Sequence, residues 1–162
     1  MSETKSSNNI VGTAGEYFVC AELCRLGYLA LLTPKNNPIF DVVASQQDGS
    51  RSVAIQVKTR SIHNKQGWKL GTDITNKKNN SNLFVVLVNL EEVGMPEFYV
   101  YEYDVLAERV QRNYEAYMNT PKRDGGRRKE VGFRWHDTKY FESDDHFRLN
   151  NWGPIVKALE NA

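Results

Sequence analysis

Two β-branched runs, Ile39-Phe40-Asp41-Val42-Val43-Ala44 and Val53-Ala54-Ile55-Gln56-Val57-Lys58, stand either side of Asp48-Gly49. Asp-Gly between such runs is the strongest short-range hairpin signal, because both central residues of a type I′ turn need φ > 0. With those two residues as the turn, Asp41 faces Gln56 directly and Lys58 lies one pleat further along. Side chains alternate, so Gln56 and Lys58 share one face of the third strand while Ile55 and Val57 take the other. Three polar groups thus converge inside otherwise apolar strands, where a carboxylate and an ammonium are costly unless paired or bound to something.

The chain has 162 residues, 40% of them hydrophobic, 11% aromatic and 25% charged, which suits one globular domain with a sizeable core. No apolar run reaches the ~20 residues of a membrane helix, and the polar start Met1 to Asn9 lacks a signal peptide's apolar centre, so a cytoplasmic chain with no membrane partner is expected. Cys20 and Cys24 sit one turn apart and are expected to be small buried thiols; no zinc motif is available. The net charge of +1 argues neither for nor against a polyanionic partner, so any nucleic-acid contact must come from local clusters.

In chain order, Met1 to Asn9 reads as a frayed start. Thr13 to Leu26 follows a helical pattern, with Gly27 as its stop. Glu16 shares a stripe with Val19, Cys20 and Leu23, near the apolar face. Tyr28 to Thr33 is a first strand and the hairpin follows. Gly71 to Asn82 is a polar excursion. Leu83 to Leu90 reads as a central strand buried on both faces. Phe98 to Tyr103 is a further strand whose tyrosines, Tyr99, Tyr101 and Tyr103, line a wetter side that would suit a partner. Asp104 can cap a helix to about Met118. Residues 119–130 read as a mobile basic loop, and 131–162 as a C-terminal extension around a core at 13–118. That extension holds short strands near Trp135 and Phe141, a loop at Asp144-Asp145-His146, and a terminal helix docking by Trp152, Ile155 and Leu159. Strands flanked by helices suggest one mixed sheet with helices on its faces, an α/β (α+β) arrangement.

Asp41 and Gln56 offer two oxygen ligands, and Glu16 joins them if the first helix packs on that sheet face. Oxygen ligands with waters suit Mg²⁺ or Mn²⁺. Lys58 beside the metal would orient a water for attack on a phosphodiester. Each residue has a plainer alternative. Thr13-x-x-Glu16 is also a capping box, and Asp41 with Lys58 is also a structural ion pair. Thr59, Arg60 and Ser61 can donate to phosphate oxygens, and Lys77, Lys78, Arg127 and Arg128 would add salt-dependent affinity, unless these are solvated loops.

The set of a helix acid (Glu16), a strand acid (Asp41) and Gln56-Val57-Lys58 on the next strand resembles the PD-(D/E)XK nucleases, in pattern most like archaeal Holliday-junction resolvases and Mrr-type restriction enzymes. Phe40 rather than proline precedes Asp41, and Gln56 stands where that family usually has Asp or Glu. The resemblance covers about residues 13–103. It implies a restriction endonuclease-like central mixed β-sheet flanked by helices. It also implies a Mg²⁺- or Mn²⁺-dependent endonuclease acting on DNA, with Glu16, Asp41 and Gln56 on the metal and Lys58 on the attacking water. Paired cuts on two strands would favour a homodimer. The alternative is a weak or inactive nuclease-fold module that binds nucleic acid or a protein partner.

Overall fold

The computed structural model describes residues 8–35 and 37–161. Helix α1 (Asn8–Arg25) leads into strands β1 (Leu29–Leu32), β2 (Val42–Ser45) and β3 (Ser52–Arg60). Then come β4 (Trp68–Leu70), β5 (Leu83–Asn89), β6 (Glu97–Glu102) and helix α2 (Tyr103–Asn119). Strand β7 (Arg134–His136) and helices α3 (Ser143–Phe147) and α4 (Gly153–Glu160) complete the chain. Residues 1–7, most of the expected frayed start, lie outside the described residues, whereas Asn8 and Asn9 are already helical.

A mixed sheet runs in the order β1-β2-β3-β5-β6, antiparallel except for the parallel pair β3–β5. The crossover between these two carries β4, which pairs with β7 in a separate two-stranded ribbon. Every residue of β5 from Leu83 to Val88 is buried, as its unbroken apolar run predicts for a strand covered on both faces. One layer packs α1 and α4 on the sheet: Val19, Leu23, Ile155 and Leu159 meet Val53, Ile55, Val57 and Val86. The opposite layer packs α2 and the β4–β7 ribbon, joining Trp68, Leu70, Leu106 and Val110 to Val85, Leu87 and Tyr101. Trp68 ties ribbon to sheet by donating from Nε1 to the Val88 carbonyl at 2.9 Å.

The hairpin pairs Val42 with Ile55 and Ser45 with Ser52, the register expected from the sequence. Its turn differs. Gln46 N–H donates to Arg51 O at 3.0 Å and Gly49 N–H to Gln46 O at 2.9 Å, so four residues form the loop and only Gly49, at φ 72°, is left-handed. A four-residue loop centred on the same two residues preserves the pairing.

The tyrosine row is not a partner surface: Tyr99, Tyr101 and Tyr103 are all buried beneath the ribbon and α2. The Asp144–His146 segment is helical rather than a loop. Within it Asp145, fully buried, accepts from Arg109 Nη1 at 2.9 Å, Tyr101 Oη at 2.9 Å and Glu142 N–H at 2.8 Å. Arg109 also pairs with Glu142 at 2.7 Å, so this buried charge is answered on every side. Of the two cysteines, Cys20 is half-buried and Cys24 exposed, and both are free thiols.

Candidate active site

Asp41 lies where β2 stops pairing, and both neighbouring strands fix it. Its N–H donates to Ile55 O at 2.9 Å, its carbonyl accepts Thr33 N–H at 2.9 Å, and its Oδ2 accepts Val57 N–H at 2.8 Å. The carboxylate therefore replaces the ladder partner that β2 no longer supplies. Beyond this point β3 continues to Arg60 paired with β5 alone, so one edge of the strand is open beside Asp41.

Helix α1 brings Glu16 to the same place. The close approach is made at Gly15, where an added Cβ would meet Thr59 Oγ1 of β3 at 1.8 Å. Glu16, Asp41, Thr13, Thr33 and Lys35 line one cleft of about 340 Å³. Burial first, and then the charge of Asp41, push the Glu16 carboxyl above its ordinary range, while Lys35 opposes them. The same electronegative field, after burial and Cys24, helps push the Cys20 thiol up to about 11. Glu16 is not part of a capping box: α1 begins at Asn8, and Thr13, inside the helix, donates to Asn9 O at 2.8 Å.

Gln56 and Lys58 occupy a different aspect of β3. Helix α1 packs on the face of Ile55 and Val57, so the condition for Glu16 to join Gln56 on one face is not met, because that stripe continues the apolar surface of Val42 and Val53. Ala54 joins the opposite core, and Arg60 stacks its guanidinium 4.4 Å from the Trp68 ring centroid there. Gln56 and Lys58 alternate between these two and issue from the side away from α1. Gln56 is buried and Lys58 half-buried, and among the described residues Lys58 has no ion pair with Asp41 or any other acid. The structure therefore brings Glu16 and Asp41 together in the cleft and leaves Gln56 and Lys58 across the strand from them.

The expected phosphate contacts are dispersed. The Thr59 hydroxyl is buried against Gly15 without a hydrogen-bond partner. Arg60 donates to Asn89 Oδ1 at 2.7 Å. Lys77 pairs with Glu108, the Lys78 ammonium lies 5.8 Å from the Tyr103 ring, and Arg128 donates to Thr120 O at 2.8 Å over the Tyr117 ring. Among the described residues Ser61 and Arg127 make no side-chain contact of this kind. Sequence reasoning missed Lys35, the base of the cleft, and Thr33, which also donates its hydroxyl to Phe40 O at 3.0 Å. Thr33 closes the expected first strand and Lys35 falls in the Pro-Asn segment after it, whose only sequence signal was a turn.

Among the described residues no three of His, Cys, Asp and Glu cluster as a metal site. Two carboxylates that repel each other in an open polar cleft nonetheless fit Mg²⁺, which keeps several waters and is held by one or two carboxylates. Soft or nitrogen-preferring metals are not matched by this donor set.

The architecture, a mixed five-stranded sheet flanked by helices, is an α+β fold shared with a solved endonuclease. A solved bacterial homing endonuclease, I-Ssp6803I, matches with TM-score 0.55 and 16% identity over 93% of both chains. The Holliday junction resolvase Hjc of Archaeoglobus fulgidus matches with TM-score 0.44 and 15% identity over 80% of this chain and 86% of its own. No family model and no curated protein sequence matches the chain. No helix of the described residues is long and apolar enough to cross a membrane.

Proposed function

We propose that the protein is a divalent-metal-dependent endonuclease that hydrolyses DNA phosphodiesters at the cleft between α1 and the end of β2. The observation that carries the reading is the Glu16–Asp41 pair, two carboxylates held against their mutual repulsion at the open edge of β3. Glu16 and Asp41 would hold Mg²⁺ or Mn²⁺ in the cleft, and the amide oxygen of Gln56 would join them only by reaching past the open edge of β3; the ion when bound supplies charge neutralisation at a phosphoryl oxygen and a more acidic water. Asp41 is preorganised for this by its three backbone hydrogen bonds. Lys58, which has no ion pair among the described residues, would reach past the same edge to orient the attacking water and balance its developing charge. Lys35 places a cation where a scissile phosphate would enter the cleft. Arg60, Ser61, Lys77, Lys78, Arg127 and Arg128 act on the backbone of the nucleic acid without reading its sequence. Two protomers acting together would cut both strands.

A supercoiled-plasmid cleavage assay with and without Mg²⁺ or Mn²⁺ tests this. Wild type should nick the plasmid only with metal, and Glu16→Gln, Asp41→Asn and Lys58→Ala should each lower the rate at least roughly a hundredfold. Cleavage by Asp41→Asn at the wild-type rate would sink the assignment.

A second reading, a module that binds nucleic acid or a partner without cutting, is favoured by the neutral Gln56 and by Lys58 issuing away from α1. Retained DNA affinity with no metal-dependent nicking would select it.

A further inference from the structure

A second pocket, of about 480 Å³, lies between α2, the β3–β4 loop and the segment around β7, and shares no lining residue with the acidic cleft. Its walls include Tyr117, Phe133, Trp135 and Tyr140. Phe133 and Trp135 meet edge to face with ring centroids 5.9 Å apart, which fixes both rings. Three further lining residues, Asn113, Tyr114 and Arg134, carry polar atoms that have no hydrogen-bond partner: Asn113 Nδ2, Tyr114 Oη and Arg134 Nε. Arg134 is only 7% exposed and stacks 3.5 Å from the Tyr114 ring centroid. Its other nitrogens are used, Nη1 on the Val131 and Phe133 carbonyls at 2.9 and 3.0 Å and Nη2 facing Glu130 at 3.7 Å.

Buried polar groups are normally partnered, and three residues of one pocket wall whose covered donor atoms have no partner among the described residues ask for a ligand toward which they can turn. Amide and guanidinium N–H groups donate only, and a phenol donates readily, so the complement is a group rich in acceptors. Aromatic walls ask for a flat ring, and Lys65 and Lys139 add positive charge for an anion attached to it. The single acid of the lining, Asp137, is engaged, accepting Lys139 N–H at 3.1 Å and facing Lys139 Nζ at 3.8 Å. Ring nitrogens and carbonyls on a planar heterocycle bearing a phosphate describe a nucleotide.

We propose that this pocket receives the base of one unpaired nucleotide of the nucleic-acid substrate, stacked on the aromatic walls and accepting hydrogen bonds from Tyr114, Asn113 and Arg134. The proposal rests on the nucleic-acid reading above and names a substrate class for it, DNA with an extrahelical or single-stranded base. A fully stacked duplex hides its base faces and cannot offer one without the cost of unstacking.

The test is fluorescence anisotropy in EDTA, so that binding is read without cleavage, with three labelled probes: a fully paired duplex, the same duplex with one bulged nucleotide, and a mononucleotide. The bulged duplex should bind roughly tenfold or more tighter than the paired one, since base–aromatic stacking is worth about that per base. Tyr140→Ala, at a 46% exposed residue whose loss leaves the core intact, should remove most of that preference. Tyr114→Phe, which keeps the ring and deletes the hydroxyl, should weaken it several-fold. Equal affinity for bulged and paired duplex, or a preference unchanged in both variants, overturns the proposal. So does mononucleotide binding as tight as the bulged probe, because the site would then serve a free metabolite. Metal-dependent nicking assayed separately keeps the two readings apart: nicking without bulge preference refutes the pocket alone, and bulge preference without nicking refutes the endonuclease alone.

Discussion

Replacing Gly15 with alanine probes the packing that carries Glu16 to Asp41. The new Cβ would sit 1.8 Å from Thr59 Oγ1, 2.9 Å from Thr59 Cβ and 3.0 Å from its Cγ2. Rotation of Thr59 can move Oγ1 aside but not Cβ, which is fixed to the strand, and non-bonded carbons rest at about 3.5–4.0 Å. Helix α1 must therefore back away from β3 by roughly 0.5–1 Å. Overpacking of this kind costs about 1–3 kcal/mol, against roughly 1 kcal/mol that alanine returns through helix propensity. The net is a destabilisation of the order of 1 kcal/mol, or about 2–4 °C in Tm for a chain of this size. Urea denaturation should show it, and Thr59→Ala in the same chain, which removes Oγ1 and Cγ2 but keeps the Cβ at 2.9 Å, should recover only part of it. Thr59→Ala alone removes a buried hydroxyl that has no partner and should be close to neutral. Metal-dependent nicking by Gly15→Ala should fall further than stability does, because Glu16 moves with the helix. A Gly15→Ala chain that is more stable than wild type, the result expected at an open helical position, would refute the argument that this contact seats α1.

Asp145→Asn weakens the acceptor that holds Arg109 and should destabilise by roughly 3–5 kcal/mol in denaturant unfolding, as removal of one partner of a buried pair does. Burial, with Arg109 assisting against Asp145 and Asp137, holds His136 down at about 4, below its ordinary 6.5. A group depressed in the folded state contributes stability above its unfolded value that is lost as pH falls, so His136→Gln should flatten the decline of Tm between about pH 6.5 and 4. The raised Glu16 carboxyl has the opposite sign. Its cost is absent below the ordinary value of 4.5 and grows as pH rises, so Glu16→Gln should raise Tm at pH 8 and leave it unchanged at pH 4. Gln56→Glu puts a carboxylate at a buried position of β3, next in the chain to Val57, whose N–H Asp41 accepts. It should lower stability in EDTA by roughly 1–3 kcal/mol and enlarge the Tm gain on adding Mn²⁺; an equal gain in wild type would remove Gln56 from the proposed metal site.

What could be read from the sequence was what local patterning controls. The hairpin register from Val42–Ile55 to Ser45–Ser52 follows from apolar runs symmetric about Asp48 and Gly49, and survives an incorrect turn type because the real loop shares that centre; it ends before Asp41, whose N–H goes to Ile55 O rather than pairing the residue with Gln56. The burial of β5 and the docking of Trp152, Ile155 and Leu159 follow from unbroken or periodic apolar residues. The choice of sheet face for α1 had no such signal. Both faces of β3 are apolar at its start, Val53 and Ile55 on one and Ala54 on the other, and the decision is made by Val42 and Ala44 on the neighbouring strand.

The same limit explains the last third of the chain and the tyrosine row. Tyr101 reads as half-wet from alternation alone, and it is buried because Asp145 and His136, distant in sequence, supply partners for its hydroxyl at 2.9 and 3.3 Å. Those partners arrive only because β7 pairs with β4 across the chain, folding the ribbon onto a strand that would otherwise keep one face in water. Sequence periodicity reports how much of a strand is apolar, whereas the covering layer decides how much of it is dry. A chain can therefore bury phenols and a carboxylate together once each supplies the other's hydrogen bond, and the second pocket is the edge of that same layer where Asn113, Tyr114 and Arg134 were left without such partners.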